Sequence, residues 1–218
     1  MRLYLTKRSP KQKKLTELVV TFNLVGLIGF CIPATQHIFM LLVPWHLLLM
    51  GIFLALSHEG LRRHFLLFFL LVYFITFFAE WLGVNTRLIF GNYYYGHTMG
   101  WQVWNIPVVI GITWFLLIYS AGAVMQRSRI KNIFLRVMLG AVLLVLLDKL
   151  IEPVAMHFDY WHWSKGIVPV KNYWGWFAVS VAMLCIFELF RFKKQGLVAP
   201  VLLLMQFVFF GVLGLIIV

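Results

Sequence analysis

The chain has few charged residues, few acids and few cysteines. Charged residues make up 12% of its 218 positions, about half the share that is usual in soluble domains. The two cysteines, Cys31 and Cys185, are too few for a disulfide framework and form no CxxC motif. With 62% hydrophobic residues and a mean hydropathy of +0.91, the composition is that of an integral membrane protein.

Sequence motifs for several common chemistries are absent. The seven histidines include no adjacent pair and no pair three or four positions apart, which excludes the HxxxH and HxxHH clusters of membrane di-iron enzymes. Two aspartates are too few for the DDxxD pattern that holds magnesium diphosphate. The C-terminal apolar stretch has no lysine for a retinal Schiff base, and no GxGxxG or phosphate loop occurs. We therefore expect no metal and no cofactor.

Seven stretches of the chain are apolar and long enough to cross a bilayer, which takes about 20 helical residues. Closed barrels, the other spanning architecture, alternate apolar and polar residues, whereas these stretches run continuously apolar. The sequence therefore predicts an all-α integral membrane protein, a seven-transmembrane-helix bundle that forms one membrane domain over residues 1–218. The predicted helices are Leu18–Ile32, Ile38–Leu56, Phe65–Trp81, Val103–Met125, Ile133–Val154, Trp174–Phe190 and Leu197–Val218.

Basic residues lie mostly on one side of these predicted spans. A basic tail, residues 1–16, and the connections around residues 62, 129 and 193 hold most of the 19 lysines and arginines. Because cytoplasmic segments carry the Lys and Arg excess, we predict a cytoplasmic N-terminus in the cell (inner) membrane. The same asymmetry explains the net charge of +12 without a nucleic-acid partner and leaves membrane lipid as the expected surroundings.

The few acids gather on the opposite, outer side. Four of the seven, Glu80, Asp148, Glu152 and Asp159, lie at or beyond the outer ends of predicted helices. Asp148 and Glu152 are four positions apart, hence on one helix face. Each acid alone has a structural interpretation, as the partner of a basic side chain or a histidine. Several carboxyls in one low-dielectric site cannot all ionise, however, and such a group supplies both an acid and a base. These four are the candidate catalytic residues.

Two long outer segments, residues 82–102 and 155–173, are dense in tyrosine, tryptophan, asparagine and histidine. Their aromatic side chains have two interpretations. They can be interfacial anchors, or their faces can stabilise a carbocation by the attraction that holds any cation. The candidate substrate-binding residues in and beside these segments are Asn85, Tyr93, Tyr94, Tyr95, His97, Asn105, Trp161, His162, Trp163, Asn172 and Trp174.

The two outer segments and their flanking helices align with each other at an offset of 68 positions. The aligned pairs are Glu80 with Asp148, Tyr93 with Trp161, Tyr95 with Trp163 and, with one residue removed, Asn105 with Asn172. Both units run from inside to outside and back. The pattern fits a parallel internal repeat of helices 3–4 and 5–6, related by an axis along the membrane normal. Two unrelated aromatic belts are the other interpretation.

Five motifs together resemble one known family. They are EWLGVNTRLIFGNYYYG at residues 80–96, NIPVVIGITW at 105–114, LDKLIEPVA at 147–155, YWHW at 160–163 and NYWGWF at 172–177. This combination resembles the carotenoid biosynthesis family of membrane hydratases, which includes the bacterial carotenoid 1',2'-hydratases and the haloarchaeal bisanhydrobacterioruberin hydratase. The resemblance covers nearly half of the chain, from about residue 78 to residue 177.

The resemblance implies a cofactor-independent hydratase, which adds water to the terminal double bond of an acyclic carotenoid end. A protonated carboxyl would deliver a proton to C2, and a second carboxylate would deprotonate the water that attacks C1. The implied acid and base are Glu80 and Asp148 in either order, with Glu152 or Asp159 as second choice. The aromatic residues implied to stabilise the cation are Tyr93, Tyr95, Trp161 and Trp163, and those implied to hold water are His97, Asn105 and Asn172.

The expected partners are an acyclic or monocyclic carotenoid, water and other enzymes of the carotenoid pathway. Two other functions fit the same residues. A membrane cyclase of the lycopene cyclase type begins with the same protonation, but an internal alkene captures the cation. A proton-coupled transporter of small molecules would use the acids as a relay.

Overall fold

A computed structural model describes residues 9–217 of the chain. It contains seven α-helices, which confirms the predicted all-helical architecture. Their bounds are α1 Pro10–Cys31, α2 Pro33–Ser57, α3 Arg62–Thr86, α4 Ile110–Arg127, α5 Ile133–His157, α6 Val170–Leu189 and α7 Val198–Ile217. Five of them, α1, α2, α3, α6 and α7, are long and apolar enough to cross a membrane. Seven spans and a cytoplasmic N-terminus stay predictions, and residues 1–8 and 218 lie outside the described part of the chain.

Helices α4 and α5 differ from the other five in position and polarity. Helix α4 packs against α2, α3, α5, α6 and α7, and 13 of its 18 residues are buried. It is therefore the central helix of the bundle. Helix α5 is 25 residues long but carries Arg136, Asp148, Lys149 and Glu152. Polar groups inside an apolar bundle are costly unless they are paired or functional. The charged side chains of α5 are therefore candidates for a functional site.

The fourth helix begins at Ile110, later than predicted. The predicted start lies in an antiparallel hairpin formed by β2 (Gln102–Val103) and β3 (Ile106–Pro107). The turn residues Trp104 and Asn105 have φ angles of 52° and 64°, which is the left-handed conformation that a two-residue type I′ hairpin requires. Short apolar runs do not distinguish a hairpin from a helix, and the prediction was wrong here for that reason.

Most helices also extend beyond their predicted ends, and α1 and α3 do so by the largest margins. Helix α1 begins eight residues earlier than predicted, where the Ser9 side chain accepts a hydrogen bond from the Gln12 amide and caps the helix. Helix α3 continues to Thr86, and Arg87 then adopts a left-handed conformation and donates its amide to the carbonyl of Gly83. Glu80 therefore lies inside α3, more than one turn from its end.

A short sheet joins the segments that follow α3 and α5. Strand β1 (Tyr93–Tyr95) pairs antiparallel with β4 (Trp161–Trp163), so that Tyr93 lies opposite Trp163 and Tyr95 opposite Trp161. This register maps onto itself when the two strands are exchanged, as a twofold axis through the sheet would produce. The exchange places Tyr93 on Trp161 and Tyr95 on Trp163, which are the pairs of the sequence alignment, and the internal repeat itself stays a prediction. The sheet therefore brings the ends of the two helices that carry the buried acids close together.

The ring of Phe90 inserts between α3 and α6 at this end of the bundle. A side chain at Gly83 would place its Cβ 2.8 Å from that ring, and one at Gly175 would place it 2.7 Å away. Such distances are too short for real Cβ contacts, so both helices need glycine where the ring enters. The inserted ring forms one wall of the site described next.

Candidate active site

Three of the four candidate acids are buried near one another. Glu80 on α3 is 4% exposed, and Asp148 and Glu152 on α5 are 0% and 2% exposed. Among residues 9–217, the ion pairs are Lys13 with Glu17, Arg136 with Glu188, and His162 with Asp159. None of the three buried acids has a basic partner there. The structural interpretation as salt bridges therefore does not account for them.

Aromatic side chains surround the carboxylate of Glu80. The hydroxyls of Tyr93 and Tyr95 both donate to its Oε2, the second at 2.8 Å. The indole Nε1 of Trp114 donates to Oε1 at 2.8 Å. Three donors on one buried carboxyl favour its charged form. Burial and then the charge of Glu80 raise the pKa of Tyr93 and Tyr95 well above the usual value of 10, so both hydroxyls keep their protons.

Glu152 also accepts three hydrogen bonds, but from nitrogen donors. The indoles of Trp161 and Trp163 donate to its Oε2 at 3.0 and 2.7 Å. The side-chain amide of Asn172 donates to Oε1 at 2.9 Å. The two indoles come from β4 and the amide comes from the first turn of α6, so two segments besides α5 hold this carboxyl.

Asp148 lies one helical turn before Glu152 and shares its asparagine. The Asn172 Nδ2 that donates to Glu152 also donates to Oδ2 of Asp148, at 2.7 Å. The other carboxyl oxygen, Oδ1, is buried and has no hydrogen-bond partner among the described residues. Unpaired buried acceptors are uncommon in folded proteins and call for an explanation. A single amide thus bridges two carboxyls, and the one with fewer donors is Asp148.

The paired strands explain why four aromatic side chains converge on these carboxyls. Successive side chains of a strand point to opposite faces, so Tyr93 and Tyr95 share a face, as do Trp161 and Trp163. The ring centroids of Tyr93 and Trp163 are 5.2 Å apart, and those of Tyr95 and Trp161 are 6.3 Å apart. The inner face of the sheet is therefore a wall of four rings, each of which donates to a glutamate.

A small chamber lies between the two glutamates. Its volume is about 20 Å³, and a single water needs about 10–15 Å³ of the same kind of volume. The residues that line it are Glu80, Phe90, Tyr93, Tyr95, Ile110, Glu152, Trp161, Trp163, Asn172 and Trp176. Asp148 is not among them. The chamber therefore has room for one water, and both glutamates line it.

A much larger apolar cavity of about 360 Å³ adjoins the chamber. Ile110, Trp161 and Trp176 line both spaces, so they form the boundary between them. Most of the other lining residues are apolar side chains of α1, α2, α4 and α7. Some on α1 and α2 are also exposed on the outside of the bundle, Val25 at 50% and Trp45 at 68%. The cavity therefore reaches the side of the bundle.

The fourth candidate acid, Asp159, lies apart from the chamber. Its Oδ1 is 2.7 Å from Nε2 of His162, and its Oδ2 accepts the backbone amide of His97 at 2.8 Å. Burial raises the pKa of Asp159, but the hydrogen bonds from His162 and from the His97 amide outweigh it, and the net pKa is lowered. Asp159 therefore ties the loop that follows β1 to the loop that precedes β4.

Five of the predicted substrate-binding residues meet at the chamber, namely Tyr93, Tyr95, Trp161, Trp163 and Asn172. Six others do not line it, namely Asn85, Tyr94, His97, Asn105, His162 and Trp174. Asn85 donates to a carbonyl of its own helix, and Asn105 forms the β2–β3 turn. Tyr94 and His162 lie on the other face of the sheet, and Trp174 is 69% exposed. The geometry gives these six no direct part in the chamber.

Two tryptophans were not singled out from the sequence. Trp114 on α4 donates to Glu80 and is 1% exposed, and its ring centroid is 4.3 Å from that of Trp176 on α6. The available signal was the position of Trp114 at the end of the motif at residues 105–114. Tryptophan is so common at membrane interfaces that the sequence did not separate these buried rings from the exposed ones.

Among the described residues, no group of three or more His, Cys, Asp and Glu side chains has the arrangement to hold a metal ion.

One protein-family model, described as "Carotenoid biosynthesis protein", matches residues 19–218 of the chain. No curated protein and no solved structure matches it. The family match covers almost the whole chain, which confirms the family expected from the five motifs.

Proposed function

The chain belongs to the carotenoid biosynthesis protein family, and from that premise we propose that it adds water to a carotenoid. The reaction is hydration of the terminal C1=C2 double bond of an acyclic end, of the γ-carotene or lycopene kind, to a tertiary alcohol. One arrangement carries the proposal. A chamber for a single water, in contact with two carboxyls, shares three lining residues with an apolar cavity that reaches the side of the bundle.

The apolar cavity is the binding space for the carotenoid chain. A lipid-soluble polyene enters from the bilayer along α1 and α2, where lining residues such as Val25 and Trp45 are exposed. Its acyclic end then lies against Ile110 and Trp176, at the boundary between the cavity and the chamber. Burying the chain among mostly apolar side chains positions its terminal alkene at the chamber.

Glu152 is the acid in this proposal. It shares the Asn172 amide with Asp148, and no basic side chain among the described residues pairs with either. Two carboxyls so close in apolar surroundings cannot both ionise without a large cost, so the pair keeps one proton. Glu152 lines the chamber and Asp148 does not. The three donors of Glu152 favour its charged form, but the charge of Asp148 beside it opposes this. We therefore assign the proton to Glu152, which delivers it to the alkene, and Asp148 serves as a positioning residue.

Glu80 is the base. Its three donors, from Tyr93, Tyr95 and Trp114, hold it as a carboxylate before the reaction starts. A fixed negative charge across the chamber from the acid stabilises the tertiary cation as it forms at C1. The faces of the surrounding rings add the attraction of an aromatic quadrupole for a cation. Glu80 then takes a proton from the water that attacks C1.

Atoms and protons balance over one cycle. The proton of Glu152 forms the new C2–H bond, the water oxygen forms the C1–O bond, and one O–H bond of that water breaks as its proton moves to Glu80. The next water in the chamber touches both glutamates and carries the proton back from Glu80 to Glu152. No electrons are exchanged, so the carboxyls alone supply the chemistry.

The size of the chamber favours hydration over cyclisation. Both reactions begin with protonation at C2, but cyclisation needs an internal alkene of the same chain to fold back onto C1. A space of about 20 Å³ holds one water and is too small for a folded isoprenoid segment. A cyclase would need the boundary at Trp176 to move aside.

Expression in a carotenoid-producing bacterial host, followed by mass measurement of the pigments, tests the proposal. The wild-type protein is expected to yield a pigment heavier than its precursor by one water. Glu80→Gln and Glu152→Gln are expected to yield none, at protein levels equal to the wild type. A new pigment of unchanged mass would mean a cyclase. Uptake driven by a proton gradient in proteoliposomes, with unchanged pigments in every suitable host, would mean a transporter.

A further inference from the structure

The apolar cavity contains a group of polar side chains on helices that carry none of the chamber carboxyls. Asn23 on α1, His46 on α2 and Gln206 on α7 line the cavity. The other lining residues of these three helices have no hydrogen-bonding side chain apart from the Trp45 indole. Polar side chains within apolar helices either line ligand pathways or join helices by hydrogen bonds, and the free atoms of this group distinguish the two roles.

The hydrogen bonds of Asn23 fix which atoms of the group remain free. Its Nδ2 donates to the carbonyl of Val19 at 2.8 Å and to the sulfur of Met50 at 3.5 Å, which leaves Oδ1 as an acceptor. Met50 lies one turn after His46 on α2, so His46 lies beside this group. Gln206 donates its Nε2 to that Oδ1 at 3.1 Å. The amide oxygen Oε1 of Gln206 is then an acceptor, and it has no partner among residues 9–217. Neither ring nitrogen of His46 makes a hydrogen bond within the described chain either.

The depth of the group matches that of the carboxyls. The rings of Phe30 on α1 and Phe158 after α5 are 4.8 Å apart. Asn23 lies seven positions before Phe30, and Glu152 lies six positions before Phe158. At about 1.5 Å per residue, both are about 10 Å from this contact. A ligand that reaches from the chamber to Gln206 therefore runs across the bundle at nearly constant depth.

We propose that Gln206 and His46 form a binding subsite for a hydroxyl group of the carotenoid. A hydroxyl donates its proton to Oε1 of Gln206, and its oxygen accepts from a ring N–H of His46. A keto oxygen has no proton and would leave Oε1 unpaired, which is costly in apolar surroundings. The subsite rests on the proposed function, because it assumes that a carotenoid occupies the cavity. It narrows the substrate to one that already bears a hydroxyl.

Helix association is the competing explanation. The Asn23–Gln206 hydrogen bond joins α1 to α7, and such bonds hold membrane helices together. That role accounts for Nε2 of Gln206 but not for the free Oε1 or for His46. A purely structural pair would lower the melting temperature when mutated and would leave ligand preference unchanged.

The test measures binding without reaction. Two acyclic polyenes of equal length, alike except for one hydroxyl and both saturated at C1–C2, are titrated into purified protein while quenching of tryptophan fluorescence is recorded. The wild type is expected to bind the hydroxylated polyene about five- to tenfold more tightly, as one added hydrogen bond allows. Gln206→Met and His46→Phe are expected to lose this preference. Leu49→Met, an apolar exchange in the same cavity, is expected to keep it.

Equal affinity of the wild type for both polyenes overturns the subsite. This measurement needs no variant, so it decides the question even where a variant does not fold. So does a preference that survives in both Gln206→Met and His46→Phe, including the case in which only their melting temperatures fall. Because neither polyene reacts, the result is independent of catalysis. A protein that prefers the hydroxylated polyene but forms no alcohol in the bacterial host keeps the subsite and loses the proposed function.

Discussion

The two glutamates of the chamber accept the same number of hydrogen bonds, but from different kinds of donor. Glu80 accepts two phenol O–H groups and one indole N–H, whereas Glu152 accepts two indole N–H groups and one amide N–H. Only Glu152 has a second carboxyl beside it, Asp148, bonded to the same asparagine. The two strands that supply four of these six donors pair in a symmetric register, but the charges around them are not symmetric.

The asymmetry of charge is what separates an acid from a base. A lone carboxylate with three donors remains charged, and a carboxyl that shares its surroundings with another keeps a proton between them. Two glutamates with the same number of hydrogen-bond donors can therefore have opposite protonation states. The following predictions test whether the two sides of the chamber differ in this way.

The largest effect is expected from removing either glutamate. Glu80→Gln and Glu152→Gln each delete a proton-transfer group while keeping shape and hydrogen-bonding capacity, so turnover of purified protein should fall by about a thousandfold, within the range for general acid–base groups. Glu17→Gln, which neutralises an acid that is 63% exposed, should leave turnover unchanged. Near-normal turnover in either chamber variant would remove that residue from the proposed pair.

Removing the hydrogen-bond donors of each glutamate should have a smaller effect on turnover, and the size of the effect should differ between the two glutamates. Tyr93→Phe with Tyr95→Phe strips the charged carboxylate of two hydrogen bonds, and turnover should fall by about a hundredfold, as for lost donors to a reacting charge. Trp161→Phe with Trp163→Phe removes two hydrogen bonds from Glu152, which is neutral before the reaction in this proposal, so turnover should fall by only about tenfold. Equal losses, or the reverse order, would contradict the assignment of Glu80 as the charged partner.

Stability should depend on the shared asparagine. Asn172→Leu leaves Asp148 buried without any donor, and we expect it to lower the apparent free energy of unfolding by about 1–3 kcal/mol, measured by thermal or denaturant unfolding in detergent. Asn85→Leu serves as the control, because that side chain is exposed and bonds only to its own helix. If both variants had the same free energy of unfolding, the hydrogen bonds from Asn172 to the two carboxyls would not stabilise the fold.

The smallest effect concerns the acid outside the chamber. The pKa of Asp159 is lowered in the folded protein from 3.8, so its stabilising effect is present above pH 3.8 and is lost as the pH falls through the folded value. The melting temperature of the wild type should exceed that of Asp159→Asn at neutral pH, and the gap should shrink in acid. A gap that stays constant from neutral to acidic pH would show that the charge of Asp159 has no part in tying the two loops.

The sequence predicted those features that rest on rare or repeated residues. Long apolar runs indicated the helices, and Glu80, Asp148 and Glu152 stood out because acids are scarce in such a chain. Tyr93, Tyr95, Trp161 and Trp163 stood out as aromatic clusters, but the strands that carry them were not predicted.

Features that depend on tertiary contacts were not predictable in the same way. The left-handed turn at Asn105 converted a stretch expected in a helix into a hairpin. Asp159 faces a histidine and a backbone amide because two loops meet, which no local pattern encodes. Trp114 and Trp176 face inward because of the rotation of α4 and α6, and an apolar helix with little periodicity does not reveal its rotation.

Deuterated water offers the most direct test of the central claim, that Glu152 protonates the alkene and Glu80 directs water onto the cation. The wild type should give an alcohol with one carbon-bound deuterium, at C2. Glu80→Gln retains the acid, so its recovered alkene should slowly gain deuterium with little alcohol formed, whereas Glu152→Gln should give neither alcohol nor deuterated alkene. Alcohol without deuterium at C2, or deuterated alkene from Glu152→Gln, would contradict the account.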